Sequence, residues 1–101
     1  METKKVYVTI NHLDNYGGSK NFRVGDKLSL RKDHNNPYDD EAIMACNKHD
    51  IKCGYVANSV YSVARGTQSA GRIYEKMDET DGCTVRFITD EMLIAEMDEL
   101  K

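Results

Sequence analysis

The sequence predicts a mainly β protein: a small antiparallel barrel of about six short strands with one or two short helices, closed or nearly so. Three observations carry this expectation. Short segments rich in β-branched and aromatic residues alternate along the chain, as at residues 5–10 and 82–88, and Gly, Asn and Asp clusters punctuate them. Hydrophobic residues make up 40 % and charged residues 31 %, a balance that suits a packed soluble domain rather than disorder. The 101 residues fit one domain, spanning 1–101, whose core would bury roughly 60 to 65 % of the unfolded surface. Six short strands in so small a domain are best satisfied by closure, which removes exposed edges.

The first strand is expected at residues 5–10, with Val6, Val8 and Ile10 on the core face. A turn-rich loop follows around Asp14, Asn15, Tyr16, Gly17, Gly18 and Ser19, whose glycines permit positive φ or close backbone approach, so it is a candidate binding loop. Val24, Leu28 and Leu30 belong to the second strand, with a turn or bulge at Gly25 and Asp26, and the strand ends in the basic pair Arg31 and Lys32.

Residues 34–43 then run from a polar turn into an apolar strand and contain the sole proline. Pro37 fixes its own φ and pushes Asn36 toward an extended conformation. Asn35, Asn36, Asp39 and Asp40 have short side chains suited to bonding nearby amides, so the turn should be stiff and present Tyr38 and Asp39 at a defined place. Ile43, Met44, Ala45 and Cys46 form the next strand, paired as a hairpin with residues 51–56 across the turn at 47–50.

Residues 58–66 read as a short helix, with Asn58 or Ser59 as N-cap, Gly66 as stop, and Val60, Val63 and Ala64 inward. Residues 70–77 and 82–88 read as a hairpin around an acidic turn, in which Cys83, Val85 and Phe87 share one face and Thr84, Arg86 and Ile88 the other. The final segment is open to two readings. Asp90 as N-cap with Leu93, Met97 and Leu100 suits a helix, while Met92, Leu93, Ile94 and Ala95 suit a buried strand followed by a fraying terminus, the preferred reading.

No apolar run approaches the ~20 residues of a membrane helix, and the start of the chain reads as a strand rather than an export segment, so a cytoplasmic protein is expected. Cys46, Cys53 and Cys83 are an odd set, expected as reduced, buried thiols. Their spacing with His34 and His49 completes no zinc pattern, so neither a metal nor another cofactor is expected. Asp39, Asp40 and Glu41 offer carboxylates for Mg²⁺, yet consecutive residues of an extended chain alternate faces. Ser59 and Ser62 have no histidine and carboxylate assignable as partners, and Gly17 and Gly18 lack the lysine and helix of a phosphate loop. A catalyst is therefore not expected.

The net charge of −3 is unevenly distributed: residues 1–74 carry eleven Lys/Arg and eight Asp/Glu, while residues 75–101 carry three and nine. A modestly basic face on the barrel and a generally solvated surface with an acidic terminus are both compatible with that division.

The approach strand at residues 24–30, the Asn36-Pro37-Tyr38-Asp39 turn with Ala42 and Ile43, and Gly54-Tyr55-Val56 occur in an order that resembles the HIRAN domain family, over roughly residues 22 to 65. These modules occur at the N-terminus of SNF2-type DNA translocases and as free-standing bacterial and phage proteins. The resemblance implies an OB- or SH3-like barrel that is not itself an enzyme and binds single-stranded DNA or a free 3′ DNA end, with a helicase or nuclease as partner. Tyr38 and Asp39 match the tyrosine and aspartate that meet the DNA end in DNA-binding members. A tyrosine on a stiff turn can stack on any base, and a neighbouring carboxylate can accept a hydrogen bond from a sugar hydroxyl. The same residues also admit a plain structural reading, with Tyr38 packed on the barrel and Asp39 capping loop amides.

Asn36, Tyr16, Arg31 and Lys32 complete the expected interface, and Tyr55 is either a second stacking surface or a core residue. In the loop after the first strand DNA-binding members place an arginine and an aromatic, where this chain has Asp14, Asn15 and Tyr16. Their basic residue after the Gly-aromatic step corresponds to about Asn58. Arg31, Lys32, Lys52, Arg65 and Arg72 are the residues that could replace these phosphate contacts. The alternative function is a protein-interaction or regulatory barrel that has lost DNA binding, which Asp14, Asn15 and the acidic tail would suit.

Overall fold

A computed structural model describes residues 5–13, 17–59 and 61–98. Six strands, β1 (Tyr7–Asn11), β2 (Lys27–Lys32), β3 (Ile43–Cys46), β4 (Lys52–Val56), β5 (Thr80–Ile88) and β6 (Leu93–Met97), form a closed antiparallel barrel in the order β1-β4-β3-β2-β5-β6. Closure comes from β1 against β6, with Val8 opposite Ala95 and Ile10 opposite Leu93. The alternation read in β1 holds: Val8 and Ile10 are fully buried and Val6 packs against the core. Leu30, Ile43, Ala45, Val85, Leu93 and Ala95 are likewise fully buried. The β3–β4 hairpin forms as expected, with a register shift at Ala45 and Cys46. Gly54 in β4 faces Ala45, and a Cβ there would stand 2.7 Å from the Asn11 carbonyl oxygen, so only glycine lets β4 lie this close to the end of β1.

Four expectations need correction. The segment at residues 70–77, read as a strand, contains the helix α1 (Ala70–Tyr74). Ser69 caps it by accepting the Arg72 amide on its side chain, and Ala70 and Ile73 form its buried face, which Met77 in the following turn continues at helical period. The barrel core supplies what that face needs, so the 3.6-residue period prevails over the two-residue one.

The short helix expected at residues 58–66 is replaced by turns. A single helical bond, from the Val63 amide to the Ser59 carbonyl, does not propagate. The loop is instead held by Thr9, a fully buried polar residue on β1. The Thr9 hydroxyl oxygen accepts the Ala64 amide at 3.0 Å and lies 2.8 Å from the Thr67 hydroxyl. Thr67 in turn donates to the Ala64 carbonyl at 2.7 Å, which leaves Thr9 as the donor between the two hydroxyls. The Gln68 amide continues the attachment by bonding the Tyr7 carbonyl at 2.7 Å. Val60, one of the residues expected to face inward, lies outside the described residues.

In β5 the expected face is kept only to Val85. A bulge between Val85 and Phe87 shifts the register against β6 and inverts the alternation, so Phe87 is 62 % exposed and Ile88 packs against the core. Val24, assigned to the second strand, instead sits in the turn before it and is 63 % exposed. The final segment takes the strand reading, as β6, with Leu93, Ala95 and Met97 inward; Leu100 lies outside the described residues.

No helix among the described residues is long and apolar enough to cross a membrane. Cys46, Cys53 and Cys83 are buried free thiols. Burial, and secondarily the proximity of Cys46, pushes the Cys53 thiol up to about 11. Burial also raises Cys83, to about 12, with Asp98 a lesser cause.

Candidate functional site

The β2–β3 connection is closed at its base by the Asp33 amide donating to the Ala42 carbonyl at 2.8 Å. Inside this loop the Asn36 and Asp39 side chains act as the sequence suggested. The Asn36 Oδ1 accepts the amides of Tyr38 at 2.8 Å and Asp39 at 3.1 Å, and the Asp39 Oδ1 accepts the Glu41 amide at 2.9 Å. Pro37 stiffens the same turn. The result is a fixed backbone carrying a side chain that touches almost nothing: Tyr38 is 94 % exposed.

Beside Tyr38 opens a cleft of about 770 Å³, walled by the 33–42 loop on one side and by the end of β4 and the following loop on the other. Asn36, Pro37, Tyr38 and Asp39 line the first wall, and Tyr55, Asn58, Ser59 and Ser62 the second. Asn58 ties the walls together. Its Nδ2 donates to Asp39 Oδ2 at 3.0 Å and its Oδ1 accepts the Gly71 amide at 2.8 Å, which also anchors the cleft to α1. Each Asp39 oxygen thus holds one hydrogen bond and keeps a lone pair for another donor.

Deeper in the cleft, the Tyr55 hydroxyl donates to Asp33 Oδ2 at 2.9 Å and accepts from Lys52 Nζ at 2.8 Å. Tyr55 is therefore half-buried in the cleft wall rather than in the core. Two carboxylates, Asp33 and Asp39, and one ammonium, Lys52, give the cleft a polarity suited to hydroxyl and amino groups more than to phosphate.

The expected residues divide accordingly. Asn36, Tyr38, Asp39 and Tyr55 are brought together on one cleft. Arg31 and Lys32 are not among its lining residues: Arg31 pairs with Asp50 on the β3–β4 turn, and Lys32 lies 4.5 Å over the Tyr74 ring. His34 contacts Glu79 at 2.6 Å. Tyr16, with Asp14 and Asn15, lies outside the described residues.

Asn11, His12, Asp33 and Asn58 line the cleft and were not among the residues that sequence reasoning chose for the interface. The signal for Asp33 is its place at the base of a polar turn. For Asn58 the sequence offered a helix cap and, through the resemblance, the place of a basic residue, but not the tie between walls, because its partners Asp39 and Gly71 are far away in the chain. Ser62 donates to the Ser59 carbonyl and Ser59 accepts the Tyr61 amide, so both hydroxyls serve turn bonds. Among the described residues, no group of three or more His, Cys, Asp or Glu side chains is gathered as a metal site requires. The arrangement can stack a planar group on Tyr38 and accept hydrogen bonds beside it.

No curated protein sequence matches the chain. The fold is similar to the crystal structure of the HIRAN domain of human HLTF, with a TM-score of 0.68 and 19 % identity over 92 % of this chain and 72 % of that one. The family model for the HIRAN domain matches residues 5–80, which takes in five of the six barrel strands at least in part and the whole Tyr38 turn. On that match the chain belongs to the HIRAN domain family.

Proposed function

We propose that this protein is a non-catalytic module that binds single-stranded DNA, or a free 3′ DNA end, in the cleft beside Tyr38. Membership of a family known for DNA binding supports a nucleic-acid partner. The observation that carries the finer reading is the pairing of a 94 % exposed tyrosine with a backbone fixed by three side-chain-to-amide bonds. Exposure of so large a ring has a hydrophobic cost, and rigidity means that little further freedom is lost when a base stacks on it.

Tyr38 supplies the stacking face, worth ~1 to 3 kcal/mol per base and indifferent to base identity. Asp39, with a free lone pair on each oxygen, accepts from the terminal sugar hydroxyl, and Asn36 holds both residues in place. Tyr55 lines the opposite wall. In this reading a helicase or nuclease provides the chemistry, and the barrel brings it to a strand end.

Fluorescence anisotropy with a short labelled oligonucleotide, ending in a 3′-hydroxyl or a 3′-phosphate, tests the proposal. Binding that requires the free hydroxyl supports it, since a terminal phosphate would meet the Asp39 carboxylate. Equal binding of the two ends removes the end-reading role. No binding of either by the folded protein favours the protein-interaction barrel instead.

A further inference from the structure

The cleft that would take the base and sugar is poorly suited to the phosphates that must follow them. Asp33 and Asp39 line it, and its one lysine, Lys52, has its ammonium against the Tyr55 hydroxyl; Glu41 stands beside Asn58, its Oε1 lying 3.0 Å from where a Cβ at Gly71 would be. A polynucleotide seated at Tyr38 needs its backbone charge met elsewhere. Arg31 and Lys32 are engaged with Asp50 and Tyr74.

On the far side of Asn58 lies a second, smaller groove of about 340 Å³, lined by Val63, Thr67, Ser69, Arg65 and Arg72 among others, and by no carboxylate. Asn58 lines both concavities, so they meet at that residue. Arg65 and Arg72 are both exposed, and neither forms an ion pair among the described residues. Lys20, Arg23, Lys48 and Lys76 line neither concavity.

We infer that the groove bearing Arg65 and Arg72 is the phosphate track of this module: the strand leaves the Tyr38 cleft over Asn58 and lays its backbone along the two guanidiniums. The inference rests on the proposed function for the seat of the strand end, and it adds a direction to the bound strand and a specific pair of cations. It also accounts for a division of charge across the surface. Carboxylates lie where a hydroxyl end would be read, and unpaired arginines lie where the first internal phosphates would pass.

The test compares a dinucleotide with a decanucleotide, each with a free 3′-hydroxyl, on the wild type, on the Arg65→Gln/Arg72→Gln double variant and on Tyr38→Ala. The expected result is that the double variant binds the dinucleotide as the wild type does and binds the decanucleotide several-fold more weakly. Its log affinity against log salt should have a slope shallower by about 1.4, at about 0.7 for each phosphate that is no longer neutralised. Both arginines are exposed, so an unchanged melting temperature confirms an intact fold.

A wild-type slope and affinity in the double variant, with binding weakened more than tenfold in Tyr38→Ala, overturns the track and leaves the cleft standing. Loss of decanucleotide binding in the double variant with none in Tyr38→Ala supports the arginines and overturns the cleft as the seat of the strand. No binding by the wild type overturns both.

Discussion

The side-chain oxygen of Asn36 accepts the backbone N–H of Tyr38 at 2.8 Å, so the most exposed candidate residue of the cleft is positioned by its neighbour two places earlier and not by packing of its own. The same oxygen accepts the Asp39 amide. Asn36→Ala removes both bonds and should cost about 1 to 3 kcal/mol of stability, at roughly 0.5 to 1.5 kcal/mol per bond. Oligonucleotide affinity should fall although no candidate contact residue has changed. Chemical denaturation and anisotropy on the same sample check this, and an Asn36→Asp variant, which keeps the acceptor, should recover most of the stability.

Tyr38→Ala should lower affinity for single-stranded DNA more than tenfold while shifting the melting temperature by less than about 2 °C, because the ring contributes almost nothing to the core. Tyr38→Trp should retain binding. Unchanged affinity in the alanine variant would exclude Tyr38 from the interface.

Gly54→Ala should destabilise the barrel by about 1 to 3 kcal/mol, since the added methyl meets the Asn11 carbonyl at 2.7 Å and the Ile10 and Leu13 side chains at 3.0 and 3.1 Å. A backbone atom cannot yield as a flexible side chain can. Urea titration measures the loss, and an unchanged midpoint would mean that β1 and β4 can separate without penalty.

Alkaline pH should weaken the fold through its thiols. Cys53 and Cys83 are raised from 9.0 to about 11 and about 12, so the native state holds their protons more tightly than the unfolded chain does. The stability they contribute is complete below pH 9 and is lost as pH rises toward 11 and 12. Melting curves from about pH 8 to about pH 11 should fall more steeply for the wild type than for a Cys53→Ala/Cys83→Ala variant, whatever the variant's starting stability. Parallel curves would assign the decline to other groups.

The barrel was legible where the sequence acts locally. Period-two alternation located β1 and the β3–β4 hairpin, and the Asn36-Pro37 turn could be read from side chains that bond amides only two or three residues away. What escaped the sequence depended on distant partners. Ala70, Ile73 and Met77 fit a helix, but only a core to receive them distinguishes that from Gly71, Ile73 and Met77 in a strand. The Phe87 inversion required a bulge set by pairing with β6. The basic pair Arg31 and Lys32 looked available because Asp50 and Tyr74 are remote in sequence, and Asn58 looked like a cap because its hydrogen-bond partners are remote too.

The hold of Thr9 on the loop after β4 has a consequence for motion. An exposed loop of this length ordinarily exchanges its amide hydrogens with solvent in local openings that cost little. Here the Ala64 amide is bonded to a side chain with no solvent exposure, and the Gln68 amide to the Tyr7 carbonyl of the same strand. Freeing either requires the loop to lift off β1, and for Ala64 to leave the buried Thr9 hydroxyl without that donor, so these two hydrogens should exchange more slowly than those of an unanchored loop. A surface that carries Arg65 only one residue beyond such an anchor meets its ligand already ordered, and little of the binding free energy is then spent on arranging it.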